Sequence, residues 1–297
     1  MAENRYAVDS IRRALELLRA LVEQGHLSLD EAARLSGVAK STAFRMLETL
    51  QAIELAERVP SGGYRPGPEA LRWGLLLLGR LDVPEVAAGE LRSLWLDARE
   101  TVGLAMLSGR RIVLAEILES PYPFRMAEVP GTTVPAHSSA LGRAVAAYLD
   151  GAVLEGVLGS EPFQVVSPDS PERIDDLLPM LETIRRNGYS LEIGESALGV
   201  ACVAAPVFKR DQVVGAISIA GPRVRMSDER LEDLGRMVAE AAQRISARLS
   251  PGMKAPELPP AAAQPSGEPW DTESYSHHTP IPDPSGERSA EPARASR

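Results

Sequence analysis

In the first seventy-five residues the apolar positions recur at helical spacing. Over residues 10–24, Ile11, Leu15, Leu18 and Val22 fall on one stripe and Gly25 supplies a stop, which predicts an amphipathic helix. Ser28-Leu29-Asp30-Glu31 then reads as a capping box: the hydroxyl accepts from the backbone N–H three residues on, and the glutamate reaches back. The helix it opens carries Ala32, Ala33 and Leu35 and halts at Ser36-Gly37. A third helix is predicted over residues 39–53, with Ala43, Met46, Leu47 and Leu50 on its core side. Residues 55–59 and 64–66 are short extended pieces around Ser61-Gly62-Gly63, the pattern of a β-hairpin.

Two helices joined by a short glycine turn are the helix-turn-helix pattern, whose second helix enters the major groove of DNA. The polar side of the third helix carries suitable groups. Lys40, Ser41 and Thr42 stand on its first turn, where hydroxyls, an ammonium and free backbone N–H groups can hold phosphates. Arg45 follows on the exposed side and is able to bond guanine in two places. Ser28 joins these candidates, and on the hairpin, read as a wing, Arg58 and Arg65 are available to the backbone or minor groove.

Beyond residue 81 helical and β-rich stretches alternate. Residues 88–100, 138–149, 171–187 and 227–249 read as helices. Residues 104–107 and 111–118 form one predicted hairpin about Ser108-Gly109-Arg110, and 200–208 with 213–219 form a second. Antiparallel hairpins with helices packed on them predict an α+β domain. The expected organisation is therefore a winged helix-turn-helix over 1–66, an α+β domain beyond residue 81, and a tail over 251–297. That tail holds ten prolines and no apolar periodicity, a composition expected to stay disordered. Its His277-His278 pair is read as solvated rather than as a metal site.

Composition changes this picture little. The net charge is −9, yet residues 1–75 sum to zero, so the acidity falls on the remainder. An acidic chain is not expected to bend or coat DNA non-specifically. No run of 18 apolar residues and no basic-then-apolar leader is seen, so neither a membrane span nor a signal peptide is expected. The single cysteine, Cys202, excludes an internal disulfide and fits a reducing cytoplasm.

Four blocks, taken together, resemble the IclR family of bacterial transcription regulators over about residues 8–249. They are "RALELLRALVEQGHLSLDEAARLSGVAKSTAFRMLETL" with "ERVPSGGYRPGPEALRWG", then "VPAHSSALGRAVAAYL", "IRRNGYSLEIGESALGVACVAAPV" and "VVGAISIAGP". The resemblance implies a linker helix over 67–81, an effector-binding and oligomerisation domain over 82–250 similar to the GAF fold, dimers often paired into tetramers, and a palindromic double-stranded DNA operator. It also implies a small-molecule effector, an organic or aromatic acid being the expected class, and a chain that represses or activates a catabolic or metabolic operon without being an enzyme. Position by position, the effector pocket would be lined by Met126, Val134, Ala140 and Leu141, with polar groups from Glu192, Cys202 and Ser218. Backbone N–H groups at Ala140 and Leu141 would open a helix there and favour a carboxylate. The chain departs from the pattern at Ala220, where a second hydroxyl is common, and at Glu192, where aspartate is common. No cofactor or metal is expected. Other readings stay open on the residues alone: a redox or metal sensor acting through Cys202, zinc held by His137, Glu192 and Cys202, or a GAF-like enzyme using a Cys–His pair.

Overall fold

The computed structural model describes residues 8–168 and 170–251. The expected disordered tail beyond 251, with His277 and His278, lies outside the described residues. Chain contacts divide the molecule into two units, one ending at Asp82 and the other beginning at Val83.

The first unit is three helices, a hairpin and a fourth helix. Helix α1 (Asp9–Gln24) ends at Gly25 in the left-handed conformation, which glycine adopts without a Cβ penalty. Its inward face differs from the expected stripe. Leu17 and Leu21 are buried and Leu18 partly so, whereas Ile11, Leu15 and Val22 are exposed. The helix is apolar on two adjacent stripes, and the core takes the one that packs with Leu47 and Leu50. Helix α2 (Leu29–Ser36) starts at the predicted capping box: Glu31 N–H donates to Ser28 Oγ at 3.3 Å, and Ser28 N–H to Glu31 Oε2 at 2.8 Å. Helix α3 (Lys40–Ala52) buries Ala43, Leu47 and Leu50. Strands β1 (Ala56–Arg58) and β2 (Tyr64–Pro66) pair antiparallel, with Glu57 opposite Arg65. Helix α4 (Pro68–Leu78) has proline in its first turn and buries none of its residues.

The second unit is a six-stranded antiparallel sheet covered on both faces. In chain order it contains α5 (Asp82–Ala98), β3 (Thr101–Ser108), β4 (Arg111–Leu118), β5 (Thr133–Val134), α6 (Ala140–Ala146), α7 (Gly151–Leu158) and α8 (Ile174–Asn187). It continues with β6 (Ser190–Ile193), β7 (Val200–Lys209), β8 (Gln212–Pro222) and α9 (Asp228–Leu249). The strands lie in the order β5-β4-β3-β8-β7-β6.

Strand β7 shows why the sheet is buried twice. Cys202, Ala204 and Phe208 join a core built with α6, α7 and α8, while Ala201, Val203, Ala205 and Val207 join a second core with α5 and α9. Alternate side chains of a strand point to opposite faces, so a nearly continuous apolar run is what a strand between two helix layers needs.

Candidate functional site

Two sites can be built from these elements, one in each unit. In the first, α1 and the wing hold α2 and α3. Arg13 Nη1 donates to Gly37 O in the turn between α2 and α3 at 3.2 Å. Leu27 and Tyr64 form an antiparallel bridge that ties the wing to the loop before α2. Tyr64 is buried, and its hydroxyl donates to Glu48 Oε1 on α3 at 3.1 Å. His26 Nε2 sits 2.9 Å from Gly62 O, and a Cβ on Gly63 would lie 2.6 Å from that same nitrogen. Glycine, at a φ of +84°, is what lets the wing turn close over the histidine.

This frame leaves the polar side of α3 open. Lys40, Ser41, Thr42 and Arg45 are all exposed. Among the described residues Arg45 has no acidic partner, whereas Lys40 Nζ lies 2.6 Å from Asp30 Oδ1 in a surface ion pair. Such a pair contributes at most about 1 kcal/mol and yields to a stronger anion. On the wing, Arg58 is exposed, and Arg65 bonds Glu57 across the hairpin at 3.0 Å through Nε. Ser28 is spent inside the fold: its hydroxyl proton goes to Glu31 Oε2 at 2.7 Å, and that bond leads the causes holding Glu31 below the usual carboxylate range.

In the second unit, sheet register sets Glu192, Cys202 and Ala220 side by side across β6, β7 and β8. Ser218 is two residues from Ala220 on β8 and shares its face. All seven residues named from the sequence, Met126, Val134, Ala140, Leu141, Glu192, Cys202 and Ser218, line one cavity beneath the start of α6. Five others complete its wall: Glu128, Ser139, Ser196, Val200 and Ala220. The free space inside is only about 30 Å³, roughly the share of a single water.

The electrostatics of this cavity are acidic, which the sequence did not foretell. Ala140 N–H at the start of α6 donates to Glu192 Oε2 at 3.0 Å, so an internal carboxylate already holds the position expected to attract a ligand's. The other oxygen of Glu192 accepts from Ser196 N–H at 3.0 Å and from the Ser196 hydroxyl. Glu128 brings a second carboxylate; burial and the charge of Glu192 raise it above the ordinary value. Glu128 escaped notice because its loop has no periodicity. Cys202 is buried, and that burial, with Glu192 and Glu128 nearby, pushes its thiol well above the ordinary value. A reactive thiolate needs the opposite environment.

His137 does not join Glu192 and Cys202 on the wall of this cavity. Its ring stacks on Phe163 with centroids 4.9 Å apart, and Nε2 lies 3.0 Å from Gln164 O. A carbonyl only accepts, so Nε2 is the donor. Among the described residues no group of His, Cys, Asp or Glu could hold a metal ion, and no helix is long and apolar enough to cross a membrane.

Comparison with known proteins places both units. Residues 10–60 match the profile described as the IclR helix-turn-helix domain, and residues 76–247 match that of the bacterial transcriptional regulator IclR C-terminal domain. The HTH-type transcriptional regulator BhcR of Paracoccus denitrificans is 32 % identical over 262 residues, covering 86 % of this chain and 92 % of that one. The HTH-type transcriptional regulator XynR of Escherichia coli is 29 % identical over 245 residues, covering 82 % and 97 %. A crystal structure of an IclR transcriptional regulator from Alicyclobacillus acidocaldarius superposes with a TM-score of 0.70 at 27 % identity, covering 82 % of this chain and all of that one.

Proposed function

The chain belongs to the IclR family of effector-controlled, DNA-binding transcription regulators, and from that premise we propose how its two sites divide the work. Helix α3 reads the operator: Arg45 contacts a base edge, while Lys40, Ser41 and Thr42 hold phosphates. Arg58 on the wing reaches the backbone or minor groove, joined by Arg65 if its bond to Glu57 opens. The observation that carries this reading is the open polar face of α3, whose Arg45 lacks any acidic partner among the described residues. Acting on chromosomal DNA places the protein in the bacterial cytoplasm.

The reader is a homodimer or a pair of dimers on a palindrome. A lone helix-turn-helix covers one half-site, so useful specificity requires a second copy about one helical turn away. The linker helix α4 supports association: Leu71, Leu75 and Leu77 are each more than 60 % exposed, and Trp73, Leu76 and Leu78 are exposed beside them.

The effector enters the cavity under α6. Because the resting space holds about one water, binding requires the wall to open, and two of its segments have no regular structure: the 119–132 loop carrying Met126 and Glu128, and the 194–199 turn carrying Ser196. A ligand shifts DNA binding only by as much as it prefers the opened form. The lining of Glu128, Glu192, Ser196 and Ser218 is rich in acceptors, so this site suits an effector that offers hydrogen-bond donors, and an acid only if it displaces Glu192 from Ala140 N–H. The regulated operon is a metabolic one, and the high thiol of Cys202 gives no support to a redox or catalytic role.

The test is a melting-shift screen of metabolites on the full chain, followed by gel shifts on the DNA upstream of its own gene. A metabolite that raises the melting temperature should also change operator affinity, and Glu192→Gln should abolish both effects together. A hit that still acts on Glu192→Gln would place the effector elsewhere.

A further inference from the structure

The sensing unit has a second, larger concavity on the other side of β5. It lies between the start of β4, the stretch 133–137 and helix α7, and it encloses about 230 Å³, roughly eight water volumes. Val134 lines both this groove and the effector cavity. The floor is apolar, from Ile112, Val157 and Leu158, and the rim carries Arg110, Arg111 and His137.

The two arginines carry no counter-charge among the described residues; some others in this unit, such as Arg92 and Arg99, also carry none, but Arg110 and Arg111 both line one hollow. Elsewhere in this unit Arg125 pairs with Glu119, Arg223 with Asp228, Arg225 with Glu100, and Arg244 and Arg248 with Glu90. Arg110 and Arg111 have no such partner among the described residues, although the chain carries nine more negative charges than positive ones. Arg110 is nevertheless fixed in place. Its Nε donates to Gly156 O on α7 at 2.9 Å, and a Cβ on Gly156 would fall 2.8 Å from that nitrogen. The glycine admits the guanidinium against the helix, and the bond through Nε leaves both Nη groups to other acceptors. A preformed hollow with an apolar floor and two uncompensated guanidiniums on its rim matches a small molecule that has an apolar body and one anionic head.

We propose that this groove is a second ligand site, which takes an organic anion through Arg110 and Arg111. It does not rest on the effector-cavity reading and is opposite to that cavity in charge: the cavity presents two carboxylates, the groove two guanidiniums. An organic anion is therefore favoured by the groove over the cavity.

Isothermal titration of the full chain with benzoate, phenyl phosphate and neutral benzamide tests this. At least one of the two anions should bind and benzamide should not. Arg110→Gln with Arg111→Gln should weaken the anion about tenfold or more, the effect of losing a charge-assisted hydrogen bond. Should the double variant fail to fold, Arg111→Gln alone removes an exposed group with no internal bond and should still lower affinity several-fold. Glu128→Gln should leave anion affinity within about twofold, because the carboxylate it removes faces the other cavity. The proposal is overturned if neither anion binds, if benzamide binds as well as benzoate, if folded arginine variants bind unchanged, or if Glu128→Gln strengthens the anion several-fold, which would put it in the acidic cavity.

Discussion

Arg45 and Lys40 lie on the same helix, α3, yet are expected to fail differently when removed. Arg45 sits on the second turn, exposed and without an acidic partner, where a guanidinium reaches base edges. Arg45→Ala should cost about 1–3 kcal/mol of operator binding and relax the preference at one base position. Lys40 is on the first turn and already paired with Asp30, as a phosphate-binding group would be in the absence of DNA. Lys40→Ala should weaken all sequences alike and lower the slope of log affinity against log salt by about one. Affinity and base preference left intact by Arg45→Ala would mean that α3 is rotated about its axis relative to this reading. Glu128 offers a test by pH. Its carboxyl holds a proton more tightly in the fold than in the unfolded chain, so its favourable contribution is complete below the ordinary carboxylate range and is lost as pH rises through the raised value. Glu128→Gln should therefore stabilise the chain relative to wild type at neutral pH, with the gain fading near pH 4. Urea unfolding at the two pH values measures this, and an equal difference at both would exclude the cavity as the cause.

At the scale of elements, α6 depends on Gly142 more than on its seven-residue length. A Cβ there would lie 2.2 Å from Pro135 O, while the Gly142 N–H is capped by Ser139 Oγ at 3.0 Å. Gly142→Ala should destabilise the sensing unit by about 1–3 kcal/mol, read as a drop in melting temperature, because helix and loop must separate to admit the methyl group. Which elements could be foreseen follows from similar local facts. The capping box, the glycine stops and the α3 face were legible because each is a short-range pattern with a backbone cause. The inward face of α1 was not, since Leu17-Leu21 and Ile11-Leu15-Val22 are equally apolar and only contact with Leu47 and Leu50 decides between them. Helix α7 was hidden by its glycines, one of which, Gly156, is there to admit Arg110. Strands β5 and β6 span two and four residues, too few for a period to show. The seven cavity residues carried over by resemblance do meet around one space, but a further lining residue, Glu128, comes from an irregular loop and adds a second carboxylate there.

For the whole molecule, exposed apolar surface and concave polar surface have separate uses. The unburied leucines of α4 and the unused stripe of α1, with Ile11, Leu15 and Val22 each more than half exposed, are apolar surface that a second copy would cover. Leu76→Glu should weaken self-association and operator binding together while the melting transition of the sensing unit stays in place. The most direct test of the central claim, that two copies of this chain read one operator through α3, is a hydroxyl-radical footprint of the full chain on the DNA upstream of its own gene. The account predicts two protected patches on one face of the duplex, about 10–10.5 base pairs or a small multiple of that apart, both lost in Arg45→Ala. A single protected patch, or a paired footprint that survives Arg45→Ala unchanged, would contradict it.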